Sequence, residues 1–302
     1  MIPLSDLLVC AVCHGNLPLK GATDLAGEEQ IECAQCGRSY TCKAGVYNMT
    51  PLPPPDDEVK AKWDTWEKLQ ENGLLSYTEA PEFNLSIGVR EDVQAFKEFA
   101  QPSGLTLDIG CGPQAYPSYL SEGSTVVGID PLLGQQPRGF SFVQGIGEYL
   151  PFRDNTFDHI LYASSLDHIM APRRSLAEAV RCLKPNGPIS LWIDGLGSGE
   201  TSSNTSFPNK YFVLAKKGLK SLTRHSWVGQ IGLSRTLSYL GSVARLKVPE
   251  GASDYFHFTH LDLATVSNWL KELDLVTIRQ KDYPAADSVF IQVEARSAGT
   301  NQ

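Results

Sequence analysis

A chain of 302 residues with 42% hydrophobic content carries enough apolar material for one large core and a small satellite unit. It has no apolar run of the roughly 18 residues a membrane span needs, and its start, MIPLSDLLVCAVC, lacks the features of a secretory signal, so a soluble, cytoplasmic protein is expected. The formal net charge of −8 argues against a surface built to coat nucleic acid, because phosphate binding relies on clustered Lys and Arg.

Seven cysteines is an odd number and five of them fall within the first 42 residues, which indicates a local metal site in a reducing compartment rather than a disulfide framework. Cys10-x2-Cys13 and Cys33-x2-Cys36, separated by 19 residues, have the paired-knuckle spacing of a tetrahedral four-thiolate zinc site. Four thiolates leave no open position on the ion, so a structural Zn2+ is expected, and a unit of about 50 residues with so few core residues needs one to fold. The rival reading, a redox CxxC, would be expected near a βαβ unit. Cys42 and His14 are spare donors outside any CxxC pair, and Cys111 and Cys182 are expected to be ordinary buried thiols.

After this ribbon at 1–50 comes TPLPPPDDE, with four prolines in nine residues, a linker by composition. From Val59 to about Ala100 the pattern is helical: Trp63, Trp66 and Leu69 recur at a spacing of three, as do Val93, Phe96 and Phe99. The unit 51–100 is therefore a Pro-rich linker followed by helices that precede the main sheet. From Gly104 strand-length apolar runs alternate with helical stretches: LTLDIG, STVVGID, FSFVQG, FDHILYAS and PISLWI, then LVTIRQ and SVFIQVEA. Such alternation predicts an α/β fold with a parallel sheet and helices on both faces over 101–302. RRSLAEAVRCL places Leu176, Ala179, Val180 and Leu183 on one helical face, and KPNG ends that helix. THLDLATVSNWLKEL starts with Thr259 and Asp262 in capping-box spacing and leads to two strands joined by a short turn around Pro284.

LDIGCGP at 107–113 sits between a strand and a helical stretch, where a glycine turn brings backbone amides close to a ligand, and Gly110 and Gly112 supply the permissive backbone. Asp130 ends the next strand, where a carboxylate can accept both hydroxyls of a ribose. On these two features alone a nicotinamide enzyme stays open. The turn reads GCGPQA, however, so the third glycine that packs a helix beneath a pyrophosphate is missing.

GEYLPFRDNTFDHILYASSLDHI and LAEAVRCLKPNGPISLWI follow in order, and with LDIGCGP they closely resemble class I S-adenosylmethionine (SAM)-dependent methyltransferases, in particular the family typified by ubiquinone and sugar methyltransferases. The resemblance covers roughly 104–195. It implies a Rossmann-like methyltransferase sheet, SAM as methyl donor, Asp108, Gly110 and Gly112 around the methionine part, Asp130 on the ribose, and Ile146, Gly147 and Glu148 beside the adenine, with Ser164 also in the cofactor site. Where that family places an acid against the adenine amino group, this chain has Gly145-Ile146-Gly147. LLVCAVCHGNLPL and IECAQCGRSYTCKAGVYNM resemble the small zinc-ribbon proteins that activate eukaryotic tRNA and release-factor methyltransferases, here fused to the catalytic chain.

Methyl transfer needs a base only when the acceptor must lose a proton. His168, in SSLDHI just past a strand end, is the first candidate, with His257 and His260 of YFHFTH behind it; the alternative is that His168 caps or packs against the next helix. Between Thr201 and Pro249 there is no Asp or Glu, whereas Lys210, Lys216, Lys217, Lys220, Arg224, Arg235, Arg245 and Lys247 give that segment +8 and leave −16 on the remainder. It falls in a substrate-binding insertion expected at about 196–258, and 210–224 can form a basic amphipathic helix, either a solvated face or a field for a phosphorylated metabolite or an anionic membrane surface. The leading expectation is a methyltransferase acting on oxygen of a small, anionic, phosphorylated or similar metabolite such as a sugar, glycolipid or polyketide precursor. An RNA methyltransferase ranks below it, because residues 1–50 hold only Lys20, Arg38 and Lys43 against five acids. A non-catalytic docking platform is the third reading.

Overall fold

The computed structural model describes residues 3–19, 27–79, 91–113, 125–134, 138–194, 241, 246–284 and 288–296. Ten strands form one sheet: β1 (Glu28–Glu32), β2 (Ser39–Lys43), β3 (Val46–Asn48), β4 (Leu105–Ile109), β5 (Thr125–Asp130), β6 (Ser141–Gln144), β7 (His159–Ala163), β8 (Pro188–Asp194), β9 (Leu275–Tyr283) and β10 (Ser288–Ala295). Their spatial order is β1-β2-β3-β6-β5-β4-β7-β8-β10-β9. The six strands from β3 to β8 pair in parallel, and β10 closes antiparallel on both β8 and β9. Every strand expected from the apolar runs is present, and a turn at Pro284 follows β9 as expected.

Alternating side chains divide the sheet into two apolar layers, as a strand's twofold periodicity dictates. On one face Val93, Phe96 and Phe99 of the helix α2 (Glu91–Ala100) pack on Phe142, Trp192 and Phe290. The Phe96, Trp192 and Phe290 rings meet at centroid distances of 5.4–5.6 Å, tilted or edge to face. On the other face lie α3 (Pro172–Cys182), through Leu176, Ala179 and Cys182, and α4 (Leu263–Glu272), through Val266 and Leu270. α4 is capped by Asp262, whose carboxylate accepts from the Thr265 N–H at 2.8 Å and the Thr265 hydroxyl at 2.7 Å. The cap is thus Asp262, one turn later than the Thr259 start expected, because LDLAT offers an Asp with a following Thr that closes the turn locally.

The ribbon does not stand apart from this sheet. β1, β2 and β3 form an antiparallel meander, and β3 then pairs in parallel with β6 through Tyr47 opposite Val143 and Asn48 opposite Gln144. The Met49 N–H adds a bond to Gln144 O at 2.8 Å. The expected division at 1–50 therefore follows the chain, but the hydrogen-bond ladder crosses it: β6 would otherwise be an open edge, and β3 covers it. Leu8, Tyr40, Tyr47 and Met49 are buried in the same apolar layer as β4 and β5.

The long helix α1 (Asp57–Glu79) follows the proline segment. Asp56 caps it, accepting from the Val59 N–H at 2.9 Å, and is tied in turn to the Tyr149 hydroxyl and to Arg174. Farther along, the Thr65 hydroxyl donates to Glu250 O at 2.7 Å and Asn72 Nδ2 to Tyr255 O at 2.8 Å, so α1 fastens the segment that carries His257. Among the described residues no helix is long and apolar enough to cross a membrane.

Candidate cofactor crevice and cysteine centre

The chain proceeds outward from β4 to β5 and β6, then returns to the other side of β4 for β7 and β8. The carboxyl ends of β4 and β7 therefore flank a switch point, the place where open parallel sheets leave a crevice. LDIGCGP occupies it. Gly110 and Gly112 have φ of +77° and +68°, and a Cβ on Gly110 would lie 2.5 Å from Ser165 Cβ, so only glycine fits without strain. The Ser165 hydroxyl accordingly reaches the Ile109 carbonyl at 2.5 Å.

Asp130 is 6% exposed and holds the loop from below: Oδ2 accepts from the Gly112 N–H and Oδ1 from the Leu132 N–H, both at 2.8 Å. Burial pushes this carboxyl above its usual range, against the opposing effect of those two N–H donors. Each oxygen keeps a further lone-pair direction for a hydroxyl. Arg138 braces the loop from outside, donating to Gly112 O at 2.7 Å and to Leu132 O at 2.9 Å with its guanidinium over the Phe142 ring.

The crevice is a cavity of about 390 Å³, within the range that holds small ligands. Gly110, Gly112, Asp130, Ile146, Gly147, Glu148, Ser164 and His168, all expected there, line it. Asp108 is fully buried in β4 and is not among the lining residues; it lies one layer beneath the loop. Ser164, at φ +57°, donates to Asp194 at the end of β8. Glu148 also has a structural task. Its Oε1 accepts from the Met170 N–H at 2.8 Å and the Ala171 N–H at 3.2 Å, capping the entry to α3. Both N–H groups lie just ahead of the first helical residue, Pro172, so the carboxylate ties the entry of α3 to the 145–148 turn.

Trp66 and Leu69, part of the helical stripe expected after the linker, also line the cavity, together with Gly73 and Tyr77 of α1 and with Trp192 and Phe256. The stripe marks α1 as a helix with an apolar face, but not what that face meets. None of the lining residues is Lys or Arg, whereas Asp130 and Glu148 are acidic. That lining suits a cationic sulfonium and neutral ribose hydroxyls better than a pyrophosphate.

At the rim His168 Nδ1 lies 2.9 Å from Phe256 O, and its ring is 4.8 Å from that of His257. His257 Nδ1 is 2.8 Å from Asp254. Burial opposes charge on His257, yet the Asp254 hydrogen bond and the neighbouring Asp167 carboxylate raise its pKa. The end of the expected insertion, through Phe256 and His257, thus reaches the cavity. The cationic helix expected over 210–224, and the insertion from 195 to 245 apart from 241, lie outside the described residues.

At the far edge of the sheet Cys10, Cys13, Cys33 and Cys36 converge, with all four Sγ atoms within 4.8 Å of one another. Cys10 and Cys36 are 3.6 Å apart and Cys13 and Cys33 3.5 Å, too far for disulfides and close to the edge of a tetrahedron around one ion. The Tyr40 hydroxyl, 3.1 Å from Cys10 Sγ, accepts from the Ala11 N–H at 3.1 Å. The two spare donors stay out: Cys42 is buried in β2, and His14 faces Glu178 at 3.5 Å. Cys111 and Cys182 are buried thiols, as expected.

A doubly wound α/β sheet with a glycine turn and a strand-end carboxylate at its switch point defines a Rossmann-like small-ligand-binding protein. Residues 107–191 match the methyltransferase domain family, and the fold is the Rossmann-like fold of class I SAM-dependent methyltransferases. Over 98 residues, 30% of this chain and 41% of the relative, the chain is 34% identical to a demethylmenaquinone methyltransferase of Renibacterium salmoninarum. Over 111 residues, 30% of this chain and 40% of the relative, it is 31% identical to an uncharacterised methyltransferase of Schizosaccharomyces pombe. The chain thus spans about two fifths of the length of these curated relatives. Among solved structures it is similar to the Burkholderia thailandensis 1,6-didemethyltoxoflavin-N1-methyltransferase, determined with 1,6-didemethyltoxoflavin and S-adenosylhomocysteine, at 12% identity and a TM-score of 0.47, covering 87% of this chain and 97% of that one.

Proposed function

We propose that this chain is a SAM-dependent methyltransferase acting on an oxygen of a small metabolite. The observation that carries the reading is the Gly110–Gly112 loop pinned by Asp130 at the switch point, with no Lys or Arg among the described lining residues. SAM, when bound, supplies an electrophilic methyl group. The chain's own residues then bind and orient: Asp130 receives the ribose hydroxyls, the 110–113 backbone holds the methionine part, and Ile146 with Gly145 and Gly147 forms the adenine floor. Trp66 and Tyr77 of α1 shield the crevice from water, and positioning of this kind supplies much of the rate in a direct displacement. His168 shares the rim with His257 and Asp167, so a cluster rather than one histidine would meet the acceptor.

The tetrathiolate is proposed to hold a structural Zn2+, in line with the resemblance of the ribbon to methyltransferase activators. It would stiffen β3 and hence the β6 edge beside the cofactor loop. An anionic acceptor would draw on the cations of 201–249, with a membrane surface along 210–224 as a second partner. The cytoplasm is the expected compartment.

The test offers SAM labelled on its methyl group, with purified full-length protein, to fractionated lysate of a strain lacking it. Label in a small-molecule fraction is the expected result. Label confined to RNA overturns the acceptor class, and no label in any fraction overturns the activity.

A further inference from the structure

The rim of the crevice contains a second, differently built centre. Asp167 and His168 belong to the single 3-10 turn Leu166–His168 after β7, and His257 arrives from the segment before α4, some 90 residues later. The Asp167 carbonyl accepts from the Phe258 N–H at 3.0 Å and the Thr259 N–H at 3.1 Å, which sets the two segments in register.

The partners of the ring nitrogens fix both tautomers. His168 Nδ1 faces the Phe256 carbonyl at 2.9 Å, and His257 Nδ1 faces the two Asp254 oxygens at 2.9 and 2.8 Å. A carbonyl and a carboxylate can only accept, so each Nδ1 carries a proton and a neutral ring turns its Nε2 lone pair elsewhere. Both Nε2 atoms turn towards one carboxylate: His168 Nε2 is 3.8 Å from Asp167 Oδ1, and His257 Nε2 is 3.7 Å from Asp167 Oδ2. These are not hydrogen-bond lengths. They are slightly wider than the roughly 3.0–3.5 Å separating neighbouring ligands around one ion at about 2.0–2.2 Å. One ligand atom from each of the three residues lies within 4.8 Å of the others.

The charges agree with the geometry. Asp167 and Asp254 stand in the cluster, the Asp130 and Asp194 carboxylates act on His168 and His257, and no Lys or Arg is among the described residues that line the cavity. Two imidazoles and one carboxylate form the donor set of a divalent transition ion, and Nδ1–H groups held by a carbonyl and a carboxylate are what orient histidine ligands towards a metal.

The geometry points to a divalent transition-metal site formed by Asp167 Oδ, His168 Nε2 and His257 Nε2, separate from the tetrathiolate and with its open coordination positions facing the crevice. His168 and His257 line the cavity, so an ion held there meets whatever occupies the acceptor end. It would give an anionic or hydroxyl oxygen a cation at the acceptor end. That role in acceptor binding rests on the methyltransferase reading; the ion site itself does not.

The test counts zinc per chain in the full-length protein after equilibrium dialysis against buffered Zn2+, for the parent, Asp167→Asn and His257→Gln. Far-UV circular dichroism confirms that each variant is folded. Two zinc ions per parent chain and one per variant chain is the expected result, a loss of one equivalent with all four cysteines intact. One zinc in the parent, or two in the parent and in both variants, overturns the site. Calorimetry of the parent with S-adenosylhomocysteine reads the cofactor crevice independently, so failure of the metal site and failure of the methyltransferase reading are told apart.

Discussion

Replacing Glu148 separates a structural duty from a cofactor contact that the motif alone would assign to it. The side chain is 1% exposed and its Oε1 holds the Met170 and Ala171 N–H groups at the entry to α3. Glu148→Ala leaves two buried donors without an acceptor, at about 1–3 kcal/mol each, so a loss of roughly 2–6 kcal/mol is expected, towards the lower end where water enters the space left behind. At about 2–4 °C per kcal/mol for a domain of this size, the lower end corresponds to a fall in Tm of roughly 4–8 °C. Glu148→Gln keeps the accepting oxygen. Burial pushes the Glu148 carboxyl above its usual range. The assay pairs thermal unfolding with S-adenosylhomocysteine calorimetry: Gln is expected to match the parent in both, and Ala to lose stability. A Glu148→Gln chain of unchanged Tm whose ligand affinity falls more than tenfold would refute the reasoning, because it would place the carboxylate on the cofactor.

Three further outcomes are expected. Gly110→Ala puts a Cβ 2.5 Å from that of Ser165 at a φ of +77°, so about 1–3 kcal/mol of strain enters the cofactor loop and S-adenosylhomocysteine binding weakens at least tenfold by calorimetry. Cys33→Ser removes a ligand of the tetrathiolate, and because β3 pairs with β6, amide exchange at 141–144 should accelerate along with that of 28–48; unchanged protection at 141–144 would uncouple the ribbon from the sheet. Burial, with the charge of Arg279, pushes His159 down to about 4 from the ordinary 6.5. Its folded pKa is depressed, so the unfolded chain binds the extra proton. The contribution is present above pH 6.5 and is lost as pH falls towards 4, about 3 kcal/mol in all, and His159→Gln should flatten that slope in denaturant titrations.

Much of this architecture was legible because periodicity carries it. The runs LTLDIG, VVGID and HILYA have the apolar pattern of strands in a buried parallel sheet, and the glycine turn with Asp130 at the next strand end marks the crevice in the sequence itself. The features that are not legible depend on which surfaces meet. Nothing in VYNM announces that β3 pairs with Val143 and Gln144, since backbone pairing leaves no side-chain signature. The Trp66-to-Tyr77 stripe reads as any amphipathic helix, and only the fold turns it towards the cofactor loop. Glu148 lies within the motif but also holds N–H groups 22 and 23 residues later, a contact that only the fold brings about. His168 follows a strand end and lines the cavity, whereas its partnership with His257 requires the register set by the Asp167 carbonyl.

The account rests on the crevice binding SAM through Asp130. Calorimetric titration of the full-length chain with S-adenosylhomocysteine tests this most directly. One site per chain is predicted, weakened at least tenfold in Asp130→Asn, with no heat from NAD+ added in its place. A folded chain that takes up NAD+ but not S-adenosylhomocysteine, or binds S-adenosylhomocysteine equally well with Asn at position 130, would contradict it.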